Sequence, residues 1–127
     1  MRHLGIDYGT GKVGLALSDE AGTMGFPKGT LSNDPRLIES LTTLIREQDV
    51  TAVVIGDPGE GGVGNAARAF GEALAQAAGV PIHYELEAFS TQEARRAPDG
   101  ERGNGAVDDR AAALILTSYL SRPHDND

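Results

Sequence analysis

Apolar and polar positions alternate from the start of the chain. In His3-Leu4-Gly5-Ile6-Asp7-Tyr8, Leu4 and Ile6 face one way and Gly5 and Asp7 the other, the period-two pattern of a strand with one face on a core. Gly9-Thr10-Gly11 signals a turn, and Val13-Gly14-Leu15-Ala16-Leu17-Ser18 reads as a second strand that closes a hairpin. A third strand is expected between Gly22 and Leu31, weakened by Gly25, Pro27 and Gly29. The period then changes. Leu37, Leu41, Leu44 and Ile45 recur at helical spacing, with Asn33 or Asp34 as the cap and Pro35 near the first turn. Thr51-Ala52-Val53-Val54-Ile55-Gly56 is a short apolar run that suits a strand buried on both faces.

The second half continues the alternation of strand and helix. Glycines from Gly59 to Gly64 predict a flexible loop, followed by an alanine-rich helix from about Ala66 to Ala78. The loop hints at phosphate binding, but no Lys-Ser/Thr follows it, so it is no P-loop. Val80 to Glu87 reads as a fifth strand entered through Pro81. Ser90 with Glu93 three residues on forms a capping box for a short helix. Residues 97–106 predict a mobile loop, and Asp108 opens a final helix carrying Leu114, Ile115, Tyr119 and Leu120.

The order β-β-β-α-β-α-β-α-α describes an antiparallel meander followed by parallel crossovers. The fold class is α/β, with a five-stranded mixed sheet and helices on both faces. The 127 residues fit one domain, expected over residues 1–121 with a flexible tail at 122–127. A domain of this size buries roughly two-thirds of its unfolded surface.

Three acids occupy positions where chemistry is expected. Asp7 lies late in the first strand, Glu87 late in the fifth, and Asp108 at the start of the last helix. Ligands in open α/β sheets bind beyond the carboxyl ends of strands, so Asp7 and Glu87 emerge near one edge and a terminal helix could add Asp108. Clustered carboxylates repel each other, and divalent cations make such a cluster tolerable. An all-oxygen site favours Mg²⁺ or Mn²⁺ over Zn²⁺, and paired ions about 3.5–4 Å apart suit phosphodiester cleavage. Each acid also has a plainer reading: a turn residue at Asp7, a solvated strand end at Glu87, and a helix cap at Asp108.

Composition narrows the setting. Cysteine is absent, which excludes disulfides and thiolate metal sites. The three histidines lack ligand spacing. Without a signal-like or membrane-length apolar run, a cytoplasmic protein with no membrane partner is expected. The net charge of −8 sits awkwardly with a nucleic-acid partner. Yet Arg95, Arg96, Arg102 and Arg110 place four of the eleven cations within sixteen residues. Lys12, Arg95, Arg96 and Arg102 are the candidate phosphate contacts, each equally readable as a solvated surface charge. Arg110 reads better as the partner of a nearby acid. Thr10 and Thr91 could support the site, although turn and capping duties explain them as well.

The motifs also carry a family resemblance. Gly5-Ile6-Asp7-Tyr8-Gly9-Thr10 with Val13 to Asp19 resembles the opening of the YqgF family, also called RuvX, relatives of the junction resolvase RuvC. Val54-Ile55-Gly56-Asp57-Pro58, Glu87 to Ala94, and Val107-Asp108-Asp109-Arg110-Ala111-Ala112 match its later motifs in order. The resemblance implies an RNase H-like fold and metal-dependent phosphodiester cleavage. Members are described as Holliday junction resolvases or as nucleases maturing the 5′ end of 16S rRNA, and matching by position puts the family's three acids on Asp7, Glu87 and Asp108. Symmetric junction cutting would favour a homodimer.

Several positions depart from the pattern. Leu86 and Ala88 replace the aspartate and arginine that usually flank the glutamate, and Asp57 replaces a leucine. Strand alternation puts Glu85 on the same face as Glu87, so Glu85 is the alternative if the register slips. The changes at 86 and 88 keep a second function class open, a junction-binding or ribosome-assembly factor without activity. A third class is a nucleotide-binding domain of the actin and sugar-kinase type, whose first phosphate motif Asp7-Tyr8-Gly9-Thr10 also resembles. That class needs two lobes, and the chain supplies one.

Overall fold

The computed structural model describes residues 1–57, 62–86 and 107–122. Five strands, β1 (Arg2–Asp7), β2 (Lys12–Ser18), β3 (Gly25–Ser32), β4 (Val50–Asp57) and β5 (Ile82–Leu86), form one sheet in the order β3-β2-β1-β4-β5. β1 to β3 are an antiparallel meander, and β4 and β5 add in parallel beside β1. Three helices, α1 (Leu37–Glu47), α2 (Gly62–Ala78) and α3 (Asp109–Leu120), complete the described elements.

Strand alternation divides the molecule into two layers of core. Leu4, Ile6, Val13, Leu15, Val53 and Ile55 point to one face, where they pack with Leu37, Leu41 and Ile45 of α1 and Ala67 and Leu74 of α2. Ala16 and Val54 point to the other, against Ala112, Ile115, Leu116 and Tyr119 of α3. Burial of so many large apolar side chains is the main stabilising term, at roughly 1.5–3 kcal/mol for each one fully removed from water.

On the second face the sheet is paved with glycine. A Cβ built on Gly5 would lie 2.8 Å from Leu116 Cβ and 3.0 Å from the Ala112 carbonyl oxygen. One on Gly25 would lie 2.9 Å from Leu116 Cβ. Those distances are shorter than carbon atoms tolerate, so α3 seats directly on backbone. The edge strand β3 accommodates Pro27 and Gly29 through a bulge, visible as a register shift between Leu15 and Ala16 of its partner. The bulge leaves the Gly29 N–H to donate to Asp109 Oδ2 at 2.8 Å, and Gly25 N–H donates to Thr117 Oγ1 at 3.0 Å. Both bonds tie α3 to β3.

Four expectations need correction. α1 begins at Leu37 with Arg36 at its N-cap position and no side-chain cap. Asp34 instead accepts from the Arg36 N–H at 3.0 Å before the helix starts, and Asn33 donates to the Gly9 carbonyl at 2.6 Å, spanning to the β1–β2 turn. α2 begins at Gly62, so helix extends into the stretch expected to be loop; helical hydrogen bonds outweigh the poor propensity of Gly62 and Gly64. β5 begins at Ile82, two residues later than expected, and is described as far as Leu86. Arg122, assigned to the tail, donates instead to Glu85. The short helix expected after Ser90, the loop at 97–106 and residues 123–127 lie outside the described residues.

Glu85 is 1% exposed. Its Oε2 accepts from Ser118 Oγ at 2.6 Å and its Oε1 from the Arg122 guanidinium, so the carboxylate joins β5 to the end of α3. Removing one partner of a buried pair is costly because the other charge stays behind. Arg122→Ala is expected to lower stability by about 2 kcal/mol, less than for a fully enclosed pair because Arg122 is half-exposed. The triple change Glu85→Leu, Ser118→Ala, Arg122→Leu should recover most of that loss in denaturant unfolding.

Candidate active site at the carboxyl edge of the sheet

Asp7 ends β1 and is 7% exposed. Alternation puts its side chain on the α3 face with Gly5. Its antiparallel partner on β2 is Gly14, and directly opposed Cα atoms in such a pair are about 4.5–5.5 Å apart. A Cβ on Gly14 would come within 2.0 Å of the Asp108 carbonyl oxygen and 2.9 Å of the Asp109 nitrogen. The backbone of Asp108 therefore rests on β2 immediately beside Asp7. Gly9 repeats the arrangement one turn away, since a Cβ there would lie 2.6 Å from Val107 Cγ2.

Asp108 has an extended backbone, as an N-cap requires, and its Oδ1 accepts from the Ala111 N–H at 2.9 Å. Its Oδ2 lies 3.8 Å from Nη2 of Arg110, an exposed side chain, so Arg110 does pair with an acid. The cap uses one carboxylate oxygen and the Arg110 contact the other.

The remaining sequence candidates divide by position. Lys12 opens β2 and Thr10 lies in the turn before it; both are exposed at the same edge as Asp7. Glu87, Thr91, Arg95, Arg96 and Arg102 lie outside the described residues, and β5 is followed as far as Leu86, opposite Asp57. Glu85 is occupied beneath α3 and serves the packing of β5. Among the described residues no group of three or more His, Asp or Glu could hold a metal ion. Asp7 and Asp108 offer two carboxylates from neighbouring backbone positions, a hard-oxygen set of the kind Mg²⁺ and Mn²⁺ accept.

Sequence reasoning left one feature of this edge without a role. Asp57 ends β4 and accepts from Arg68 Nη1 of α2 at 3.0 and 3.1 Å, while Arg68 Nη2 donates to Asn65 at 3.1 Å. The signal was Asp57 itself, an acid ending an apolar strand, with an arginine eleven residues on. Tyr84 of β5 donates to the Arg68 carbonyl at 3.4 Å. Burial pushes its phenol above the ordinary tyrosine range, Glu72 and Asp57 add to the shift, and Arg68 opposes it.

Perturbed acidity also occurs away from this edge. The Thr23 hydroxyl and N–H hold the Asp19 carboxyl below its ordinary range, and that residue serves the β2–β3 turn. His3 and His83 flank Tyr119, with ring centroids 6.2 and 5.4 Å away, an aromatic packing arrangement.

Comparison with known proteins covers almost the whole chain. The family described as "RuvX: Holliday junction resolvase" matches residues 1–122. A protein of Anaeromyxobacter sp. named "Putative pre-16S rRNA nuclease" is 35% identical, the match covering 98% of this chain and 99% of that one. One of the same name from Opitutus terrae is 36% identical over 96% and 92%. Among solved structures, T. thermophilus RuvC in complex with a Holliday junction substrate superposes with a TM-score of 0.60 at 18% identity, covering 94% and 93%. The fowlpox virus Holliday junction resolvase gives 0.55 at 12% identity, covering 94% and 98%. These likenesses establish the RNase H-like fold.

The contact between Gly14 and Asp108 involves backbone atoms that a rotamer change cannot relieve. Gly14→Ala is expected to lower stability by about 1–3 kcal/mol, measured by denaturant unfolding. Gly11→Ala, whose Cβ would meet nothing within 4 Å, should leave the midpoint nearly unchanged.

Proposed function

The chain belongs to the RuvX family, and on that premise we propose that it is a nuclease hydrolysing nucleic-acid phosphodiesters at a carboxylate site made of Asp7, Glu87 and Asp108. The observation that carries this reading is the seating of Asp108 on Gly14, the cross-strand partner of Asp7. It puts the backbone of Asp108 next to the cross-strand partner of Asp7 at the carboxyl edge, the ligand-binding edge of such sheets. Neither acid is adjacent to the other in sequence, and only a helix pressed onto bare backbone brings them together.

Asp7, Asp108 and Glu87 would hold Mg²⁺ or Mn²⁺. A divalent cation there supplies positive charge for the phosphodiester oxygens and an activated water at neutral pH. The protein's part is positional. Asp7 is held by the β1 ladder and by burial, so its carboxylate reorganises little on binding. Asp108 is held by its cap bond to Ala111 and by the tie of Asp109 to Gly29. Lys12, Arg95, Arg96 and Arg102 are the proposed phosphate contacts, with Thr10 and Thr91 in support.

The relatives above 30% identity favour precursor 16S rRNA as the substrate. The family's description favours branched DNA as a second reading; paired cuts on a symmetric junction would then require a two-fold homodimer. No described helix is long and apolar enough to cross a membrane, and either substrate places the work in the cytoplasm.

Purified protein with Mn²⁺ or Mg²⁺, offered precursor rRNA, four-way junctions and single strands in parallel, tests the reading. Asp7→Asn, Glu87→Gln and Asp108→Asn are each expected to slow cleavage at least about a hundredfold, and a chelator should abolish it. Asp7→Asn should unfold at the same temperature or slightly higher, because a repelling charge is gone. A wild-type rate in any variant removes that residue from the mechanism. Binding of the substrate without cleavage by the unaltered protein would instead support the inactive-factor reading.

A further inference from the structure

The Asp57–Arg68 pair lies beside the carboxylate site without belonging to it. We propose that Arg68 contacts a backbone phosphate of the bound nucleic acid and that Asp57 and Asn65 hold it in place for that contact. The inference rests on the nuclease reading above and adds to it a binding residue on the opposite face of the sheet edge.

Placement comes first. Ile6 of β1 pairs with Ile55 of β4, so two residues further on Tyr8 and Asp57 leave the edge together, about 5 Å apart at the spacing of adjacent strands. Alternation sends Asp7 to the α3 face and Asp57 to the α2 face. There Asp57 meets Arg68, and Tyr8 meets Phe70 with ring centroids 4.9 Å apart. These two contacts hold the early turns of α2 at the same edge as Asp7. A nucleic-acid strand with one phosphodiester at Asp7 and Asp108 would extend along or over this edge, and Arg68 is a cation held there on the α2 face.

The chemistry fits a phosphate. Guanidinium is a planar fork of donors matched to oxyanions, and 40% of the Arg68 side chain is exposed. Asp57 and Asn65 fix both terminal nitrogens, so less side-chain freedom is lost when an oxyanion arrives. The carboxylate of Asp57, 17% exposed, also offsets the guanidinium charge in the unbound protein. That keeps a long cation from being drawn across the edge into the acids of the site.

Counterion release separates a phosphate contact from a structural ion pair, because each phosphate neutralised adds about 0.7–0.9 to the salt slope of binding. Binding would be measured in an Asp7→Asn background, which prevents cleavage, against a labelled four-way DNA junction and a labelled single-stranded RNA, over a range of KCl concentrations. Arg68→Ala is expected to weaken binding about five- to tenfold near 0.1 M salt and to flatten the slope by nearly one unit. Arg68→Lys should keep the slope, since the charge remains. Arg46→Ala, an exposed arginine in the last turn of α1 at the far edge, should change neither quantity. Whichever of the two nucleic acids shows the flattened slope identifies the polymer whose phosphate Arg68 meets. Equal slopes for Arg68→Ala and its parent on both would overturn the proposal while leaving the nuclease reading intact. A parent that binds neither would sink that reading, and this inference with it.

Discussion

The approach of α3 to bare sheet backbone is the constraint on which the rest of this structure depends. Gly5, Gly14 and Gly25 lie beneath the helix where a methyl group would collide with Leu116 or with the main chain of residues 108, 109, 112 and 113. Without side chains in between, the helix sinks to contact distance. Its apolar face then covers Ala16 and Val54. Its first residues come to rest beside Asp7, and its last turn reaches Glu85. One steric fact thus sets the thickness of a core layer and the position of Asp108 relative to Asp7.

The same helix shows how structural and chemical demands share residues here. Asp108 caps α3 with one carboxylate oxygen and keeps its other near Arg110. Asp109 fastens the first turn to the bulged edge strand. At the far end Arg122 and Ser118 satisfy a carboxylate that would otherwise be buried without compensation. Hydrogen bonds at both ends of a glycine-seated helix leave it little room to slide or tilt. Pre-organisation of that kind would serve the proposed carboxylate site, whose like charges repel.

Charge is distributed with the same economy. The chain carries a net charge of −8, yet two carboxylates at the sheet edge are engaged, Asp57 with Arg68 and Asp108 with Arg110 and Ala111. Local pairing keeps an acidic protein compatible with a polyanionic partner, because a phosphate senses charges within about a Debye length of 8 Å more than the total.

Much of the architecture was legible in the sequence, because period-two and period-3.6 patterns follow directly from where side chains point on strands and helices. Leu4 and Ile6 against Gly5 and Asp7, or Leu37, Leu41 and Ile45, gave the correct faces; the start of α1 did not, because Asn33 found a distant partner in Gly9. The positions of Asp7 at the end of β1 and Asp108 at the head of α3 were likewise readable, from an acid at the end of an apolar strand and another before a helical pattern. What only tertiary structure decided is which residues meet across long sequence separations. That Asp108 lies on Gly14, that Glu85 is spoken for by Ser118 and Arg122, and that Asp57 answers to Arg68 all depend on how closely helices approach the sheet. A local pattern fixes the direction of a side chain, but the distance between two elements is set by the residues that separate them.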